Sequence, residues 1–167
     1  MPPLVPIIMG SRSDLDHCQK IAAALRDLGI ESELRIGSAH KTPGHVLEIL
    51  AAYEANPRPK VYITAAGRSN ALSGFVDAQV TAPVIACPPP SDRFGGADLY
   101  SSIRMPGGVA PALVLEPAGA ALLAAKILAL IEPSIAENIT ALQGGNRQKI
   151  IADDKEAQHH EGKYDRT

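Results

Sequence analysis

The 167-residue chain fits one domain with a sizeable core; 46% of it is hydrophobic, but only 4% is aromatic and tryptophan is absent, so Ala, Ile, Leu and Val must fill the interior. A formal charge of −2 gives no electrostatic basis for binding nucleic acid or a membrane surface. No apolar run reaches the roughly 18 to 20 residues of a membrane span, and Met1-Pro2-Pro3-Leu4 lacks the basic start of a secretory leader.

Leu4 to Met9 is a short apolar run ending at Gly10, the pattern of a strand buried on both faces. From Asp14, the residues Leu15, Cys18, Ile21, Ala22, Leu25 and Leu28 recur at helical spacing, and Gly29 ends that helix. Glu31 to Ile36 reads as a second strand, polar enough for a sheet edge. Pro43 suits the first turn of the next helix. Val46, Leu47, Ile49 and Leu50 give that helix its apolar face, and Asn56-Pro57-Arg58-Pro59 stops it.

Val61 to Ala65 is the third strand, followed by Ala66-Gly67-Arg68-Ser69-Asn70 and a helix to about Val80. Pro83 to Cys87 is the fourth. The segment from Pro88 to Gly108 is long and irregular, with a short helical piece near Leu99 to Ile103. Such loops in compact domains are usually functional or cover an interface. Ala112 to Leu115 is the fifth strand, and Gly119 to Ile131 an Ala- and Leu-rich helix. Pro133 opens a helical stretch to about Leu142, Gly144-Gly145 breaks it, and Asn146 to Asp154 forms a last short helix. Lys155 to Thr167 is polar and frays.

Strands alternating with helices predict an α/β fold: a three-layer, flavodoxin-like parallel sheet of order 2-1-3-4-5 with a C-terminal helical extension. Residues 1–132 form the single α/β domain; residues 133–167 are a helical tail that packs on the domain or on a neighbouring subunit. This order brings the turns after strands one, two and three together at the switch point, where open α/β sheets bind ligands.

The turn after strand two, Ser38-Ala39-His40-Lys41-Thr42-Pro43, sets an imidazole beside an ammonium. Histidine moves protons near neutral pH, and lysine holds an anion. The turn after strand one, Gly10-Ser11-Arg12-Ser13-Asp14, offers close backbone approach, two hydroxyls and helix N–H groups to a phosphate. It is neither GxGxxG nor a P-loop. Asp14 reads either as a helix N-cap or as a carboxylate that accepts ribose hydroxyls. Ser69 and Asn70 read either as caps or as part of a wall against a flat heterocycle.

A metal site is not expected, because His17, His45, His159 and His160 share no ligand spacing. Cys18 and Cys87 lie in no CxxC pattern, so two reduced thiols in a cytoplasmic protein are expected rather than a disulfide.

In order and spacing, Met9-Gly10-Ser11-Arg12-Ser13-Asp14, Ser38 to Pro43, Ala66-Gly67-Arg68-Ser69-Asn70-Ala71-Leu72-Ser73-Gly74 and the run from Cys87 to Asp92 resemble the phosphoribosylaminoimidazole carboxylase family of purine biosynthesis. The likeness covers roughly Leu4 to Ile131. One branch of that family is a mutase that moves a carboxylate from N5 to ring carbon C4; it usually has Arg after the motif histidine and a second histidine in the third turn. Here Lys41 follows His40, and Ala71 stands at the second-histidine position. The chain thus looks like the branch that uses carbon dioxide directly.

The resemblance implies reversible carboxylation of 5-aminoimidazole ribonucleotide at C4. It implies His40, Lys41 and Ser69 as catalytic residues, and Gly10, Ser11, Ser13, Asp14, Arg35, Ser38, Ala39, Gly67, Arg68 and Asn70 as substrate-binding residues. Arg35 reads equally as a solvated strand residue. The resemblance further implies no cofactor, a small dry pocket for carbon dioxide, and a homo-tetramer or octamer. Two other readings stay open: the mutase on the same fold, and a non-catalytic flavodoxin-like binding module.

Overall fold

The computed structural model describes residues 1–161. Its elements are β1 (Leu4–Met9), α1 (Leu15–Asp27), β2 (Glu31–Ile36), α2 (Pro43–Glu54), β3 (Tyr62–Ala65), α3 (Ala71–Asp77), β4 (Val84–Ala86), α4 (Tyr100–Ile103), β5 (Ala112–Leu113), α5 (Pro117–Leu128) and α6 (Pro133–Glu161). The strands form one sheet in the order β2-β1-β3-β4-β5, and every pairing is parallel. This is the expected fold, with β2 at the edge.

Alternation along β1 divides the core between the two faces of the sheet. Val5, Ile7 and Met9 join Cys18, Ile21 and Leu25 of α1 and Ala120, Ala121, Ala124 and Leu128 of α5 in one buried cluster. Leu4 and Ile8 face the other way, onto Val46, Ile49, Leu50 and Tyr53 of α2 and Leu72 and Val76 of α3. Small alanines let α5 lie close to α1 where aromatic side chains are scarce. Tyr62, buried in the second cluster, reaches Glu54 with its hydroxyl at 2.8 Å.

Several boundaries differ from expectation: β4 is Val84–Ala86 rather than Pro83 to Cys87, and α5 runs Pro117–Leu128 rather than Gly119 to Ile131. α3 stops at Asp77 rather than near Val80, because the chain tightens there, with Gln79 N–H donating to Val76 O at 2.9 Å. β5 is only Ala112–Leu113, the two residues that pair with Ile85 and Ala86 of β4.

The largest difference is α6, continuous from Pro133 through Gly144-Gly145 to Glu161. A glycine inside a helix costs about 1 kcal/mol relative to alanine, which weakens a helix without breaking it. No proline follows Pro133 to interrupt the ladder. The first turns of α6 belong to the body of the fold: Ile135 and Ile139 enter the first cluster, and the Asn138 side chain donates to Leu28 O at 3.0 Å. The fraying expected for Lys155 to Thr167 is not seen through Glu161; residues 162–167 lie outside the described residues. Among the described residues, no helix is long and apolar enough to cross a membrane.

Candidate functional site

At the carboxyl ends of β1, β2 and β3, three turns surround a cavity of about 550 Å³. The first and third turns touch, because Gly10 follows β1 directly. A Cβ at Gly10 would stand 3.3 Å from the Ala66 Cβ, so a side chain there would crowd the third turn. Gly10 N–H also donates to Ala65 O at 2.9 Å, which ties the two strand ends.

In the first turn, Ser11 is extended and a short 3-10 turn, Arg12–Asp14, leads into α1. The Ser11 and Ser13 hydroxyls lie 2.5 Å apart. Both reach the Asp14 carboxylate, at 3.4 and 3.5 Å. Asp14 occupies the N-cap position of α1 yet makes no side-chain cap bond. Its carboxylate instead gathers the two hydroxyls at the cavity wall, and the simple capping reading does not hold.

The second turn is bonded to itself. Ser38 N–H donates to Thr42 Oγ1 at 3.0 Å, Thr42 N–H to Ser38 O at 2.9 Å, and Lys41 N–H to Ser38 Oγ at 3.2 Å. Ser38 and Thr42 thereby satisfy the turn's own polar groups. His40 and Lys41 are left exposed, lining the cavity beside Ala39. Gly37 sets the root of this turn: its N–H donates to Met9 O at 2.9 Å, and a Cβ there would stand 2.8 Å from Val46 Cγ2.

Gly67, Arg68 and Ser69 of the third turn complete the wall with Ala66 and Leu72. Arg68 has φ 62°, a left-handed conformation uncommon outside glycine. Such strain at a cavity rim is characteristic of functional turns.

Two expected binding residues stand elsewhere. Arg35 does not line this cavity; its guanidinium lies 5.8 Å from the centre of the Tyr53 ring, a cation–π distance. Asn70 is buried, caps α3 by accepting from Ser73 N–H at 3.3 Å, and donates to Ser102 Oγ at 2.9 Å. Ala66 and Leu72, by contrast, line the cavity although no residue-level chemistry marks them. His40, Lys41, Arg68 and Ser69 are all exposed at this cavity.

A second cavity of about 680 Å³ adjoins the first and shares Ser13, Ala66 and Arg68 with it. His17 lines it, buried, on the first turn of α1. Burial pushes the His17 pKa below its ordinary value; the bond to Cys87 O opposes this, and nearby Lys20 reinforces it. Burial likewise raises the Cys18 and Cys87 thiols to about 12, which leaves little reactive thiolate near neutral pH. Among the described residues, no group of three or more His, Cys, Asp or Glu is arranged to hold a metal ion.

Comparison with known proteins gives a consistent picture. Residues 4–149 match the family described as AIR carboxylase. The phosphoribosylaminoimidazole carboxylase of Treponema denticola is 61% identical over 92% of this chain and 97% of its own length. The Archaeoglobus fulgidus protein of the same name is 57% identical over 90% of this chain and 82% of its own. The human bifunctional phosphoribosylaminoimidazole carboxylase/phosphoribosylaminoimidazole succinocarboxamide synthetase is 45% identical over 75% of this chain, which spans 30% of that longer protein. The crystal structure of Treponema denticola PurE superposes with a TM-score of 0.91 at 60% identity, covering 92% of this chain and 98% of the other.

Proposed function

The chain belongs to the AIR carboxylase family, and on that premise we propose that it adds carbon dioxide to C4 of 5-aminoimidazole ribonucleotide, reversibly, in purine biosynthesis. The observation that carries this reading is one cavity lined on one side by His40 and Lys41 and on another by Ser11, Ser13 and Asp14. An imidazole and a cation thus share a space with a hydroxyl-rich helix entrance suited to a sugar phosphate.

The chemistry asks mainly for placement. The aminoimidazole is electron-rich, and its C4 attacks the carbon of carbon dioxide, whose C–O π electrons move onto oxygen. Holding the two reactants together offsets roughly 7 to 11 kcal/mol of barrier. The adduct carries both a proton and a carboxylate at C4. His40 removes that proton as general base and restores the aromatic ring, and the reverse sequence releases carbon dioxide. Lys41 and Ser69 stabilise the forming carboxylate. Ser11, Ser13 and the start of α1 hold the phosphate, while Asp14 accepts from the ribose hydroxyls. Gly10, Ser38, Ala39, Gly67 and Arg68 close the walls around the nucleotide. No step calls for ATP.

The open mouth of the cavity supports a homo-oligomer, tetramer or octamer, in which a neighbouring copy narrows the site. The exposed apolar side chains Phe94, Tyr100 and Ile103, on the loop between β4 and β5, and Ile150 and Ile151, on α6, support the same assembly. Two unpaired, buried thiols support a reducing, cytoplasmic setting. Lys41 after the histidine, and Ala71 in place of a second one, favour the carbon dioxide branch over the mutase.

The test is turnover of aminoimidazole ribonucleotide with carbon dioxide, set against bicarbonate plus ATP and against the N5-carboxylated nucleotide. Product formed from carbon dioxide alone is the expected result. Preferential use of the N5-carboxylated nucleotide would overturn it in favour of the mutase.

A further inference from the structure

Ser101 lies outside the first cavity, on the short helix α4 of the long loop, yet its hydroxyl meets the backbone on both sides of Ser69. It accepts from Asn70 N–H at 2.9 Å and stands 3.5 Å from Arg68 O. Its own proton goes to Asp98 O, the nearer acceptor at 2.7 Å. The peptide group leaving Ser69 is therefore hydrogen-bonded to one oxygen, 31 residues away from Asn70 in the chain, while the carbonyl entering Ser69 lies beside that oxygen without a bond to it.

That oxygen is itself held firmly. Next to it, Ser102 is buried and accepts from the Asn70 side-chain amide at 2.9 Å. The amide's orientation follows from the network, because Ser73 N–H needs the Asn70 oxygen as its acceptor. Further along, Met105 Sδ occupies the space where a Gly74 Cβ would stand, 2.9 Å away. Ala110 N–H then donates to the Asp77 carboxylate at 2.7 Å. From Ser101 to Ala110 the loop is thus fastened along α3, from its cap to its last residue. Arg68, one residue before Ser69, has φ 62°, and a strained conformation of this kind persists only when its surroundings over-determine it.

We propose that Ser101 is a positioning residue for the carboxylation: its hydroxyl fixes the backbone around Ser69 and so sets that side chain against the forming carboxylate. The inference rests on the function proposed above and deepens it. A displacement of a reacting partner by about 1 Å from a change outside the site can cost on the order of a hundredfold in rate, and the effect falls on the chemical step.

The experiment compares wild type, Ser101→Ala and Ser101→Thr by steady-state kinetics and by amide hydrogen exchange. In Ser101→Ala, kcat falls about ten- to a hundredfold, while KM for the nucleotide changes less than about twofold. Ser101→Thr, which keeps a hydroxyl, recovers most of the loss. Exchange at the Asn70 amide speeds up in Ser101→Ala alone. An active wild type with an equally active Ser101→Ala overturns the positioning role and leaves the proposed function standing. So does a loss confined to KM. An inactive wild type overturns the function and the positioning role together, whereas slow Asn70 exchange that depends on the Ser101 hydroxyl still separates that failure from an error in the geometry.

Discussion

The His17 imidazole Nε2 donates to the carbonyl oxygen of Cys87 at 3.0 Å, joining the first turn of α1 to the end of β4 across 70 residues of chain. A carbonyl only accepts, so the proton of the neutral ring sits on Nε2 and Nδ1 is bare. Burial lowers the His17 pKa from 6.5; the bond to Cys87 and the charges of Asp14 and Glu116 oppose that shift, and Lys20 adds to it. The folded protein therefore binds this proton less readily than the unfolded chain. Stability holds above the unfolded value of 6.5 and is lost as pH falls through the folded one. Melting temperature measured from about pH 8 to pH 5 should decline in wild type and decline less steeply in His17→Gln. Equal slopes would remove His17 as the cause.

His40 is exposed on a turn whose hydrogen bonds are made by Ser38 and Thr42. Replacing it should leave the fold alone, since it holds nothing up. His40→Asn is expected to lower kcat by roughly 10²- to 10⁴-fold, the usual contribution of a general base. Nucleotide binding and melting temperature should change little. Near wild-type turnover in His40→Asn would take the imidazole out of the mechanism.

Asp14 separates two roles that its position invites. A capping Asp replaced by a residue that cannot cap typically costs about 1 kcal/mol of stability, but this carboxylate makes no cap bond. Asp14→Ala, which cannot cap, should therefore shift stability by less than about 0.5 kcal/mol. Loss of a charge-assisted hydrogen bond to a ribose hydroxyl, worth about 1.5–3 kcal/mol, should raise KM for the nucleotide tenfold or more. Calorimetry of binding, alongside a thermal melt, reads both. An Asp14→Ala variant destabilised by about 1 kcal/mol with unchanged affinity would restore the capping role.

The fold was legible where one physical rule dominated. β1 and β3 are buried on both faces, so β1 reads as a bare apolar run and β3 as one interrupted only by Thr64, and β2 betrays the sheet edge through Glu31, Glu33 and Arg35. The turns around the cavity stood out because Gly, Ser, Asp, His and Lys cluster there against an apolar background. What stayed hidden depends on contacts distant in the chain. Arg35 looks like a phosphate ligand until Tyr53, a helix away, comes to lie under it. Asn70, legible as either a cap or a wall residue, is the cap of α3; what stayed out of sight is that Ser101 and Ser102 hold it there. Apolar wall residues such as Leu72 announce nothing, because the same side chain serves equally well in a core.

The two glycines in the middle of α6 were misread for a different reason: a breaker in the sequence lowers helix stability but does not decide the outcome alone. Nothing lies within 4 Å of a Cβ built on Gly144 or Gly145, so alanine fits both positions without displacing a neighbour in the protomer. Nearby, Thr140 Oγ1 donates to Ala136 O at 2.9 Å and Arg147 Nε to Gln143 O at 3.3 Å, bonds that satisfy these side chains without strengthening the backbone ladder. Gly144→Ala and Gly145→Ala should each stabilise the protein by about 0.5–1 kcal/mol, mostly by restricting the unfolded chain. For a chain of this size that raises the melting temperature by about 2–4 °C per kcal/mol. The double variant should approach the sum, provided both sites are open to solvent. A lower melting temperature, appearing together with a change in oligomer mass by light scattering, would show that a neighbouring copy packs against the bare backbone there, and that the glycines are kept for close approach.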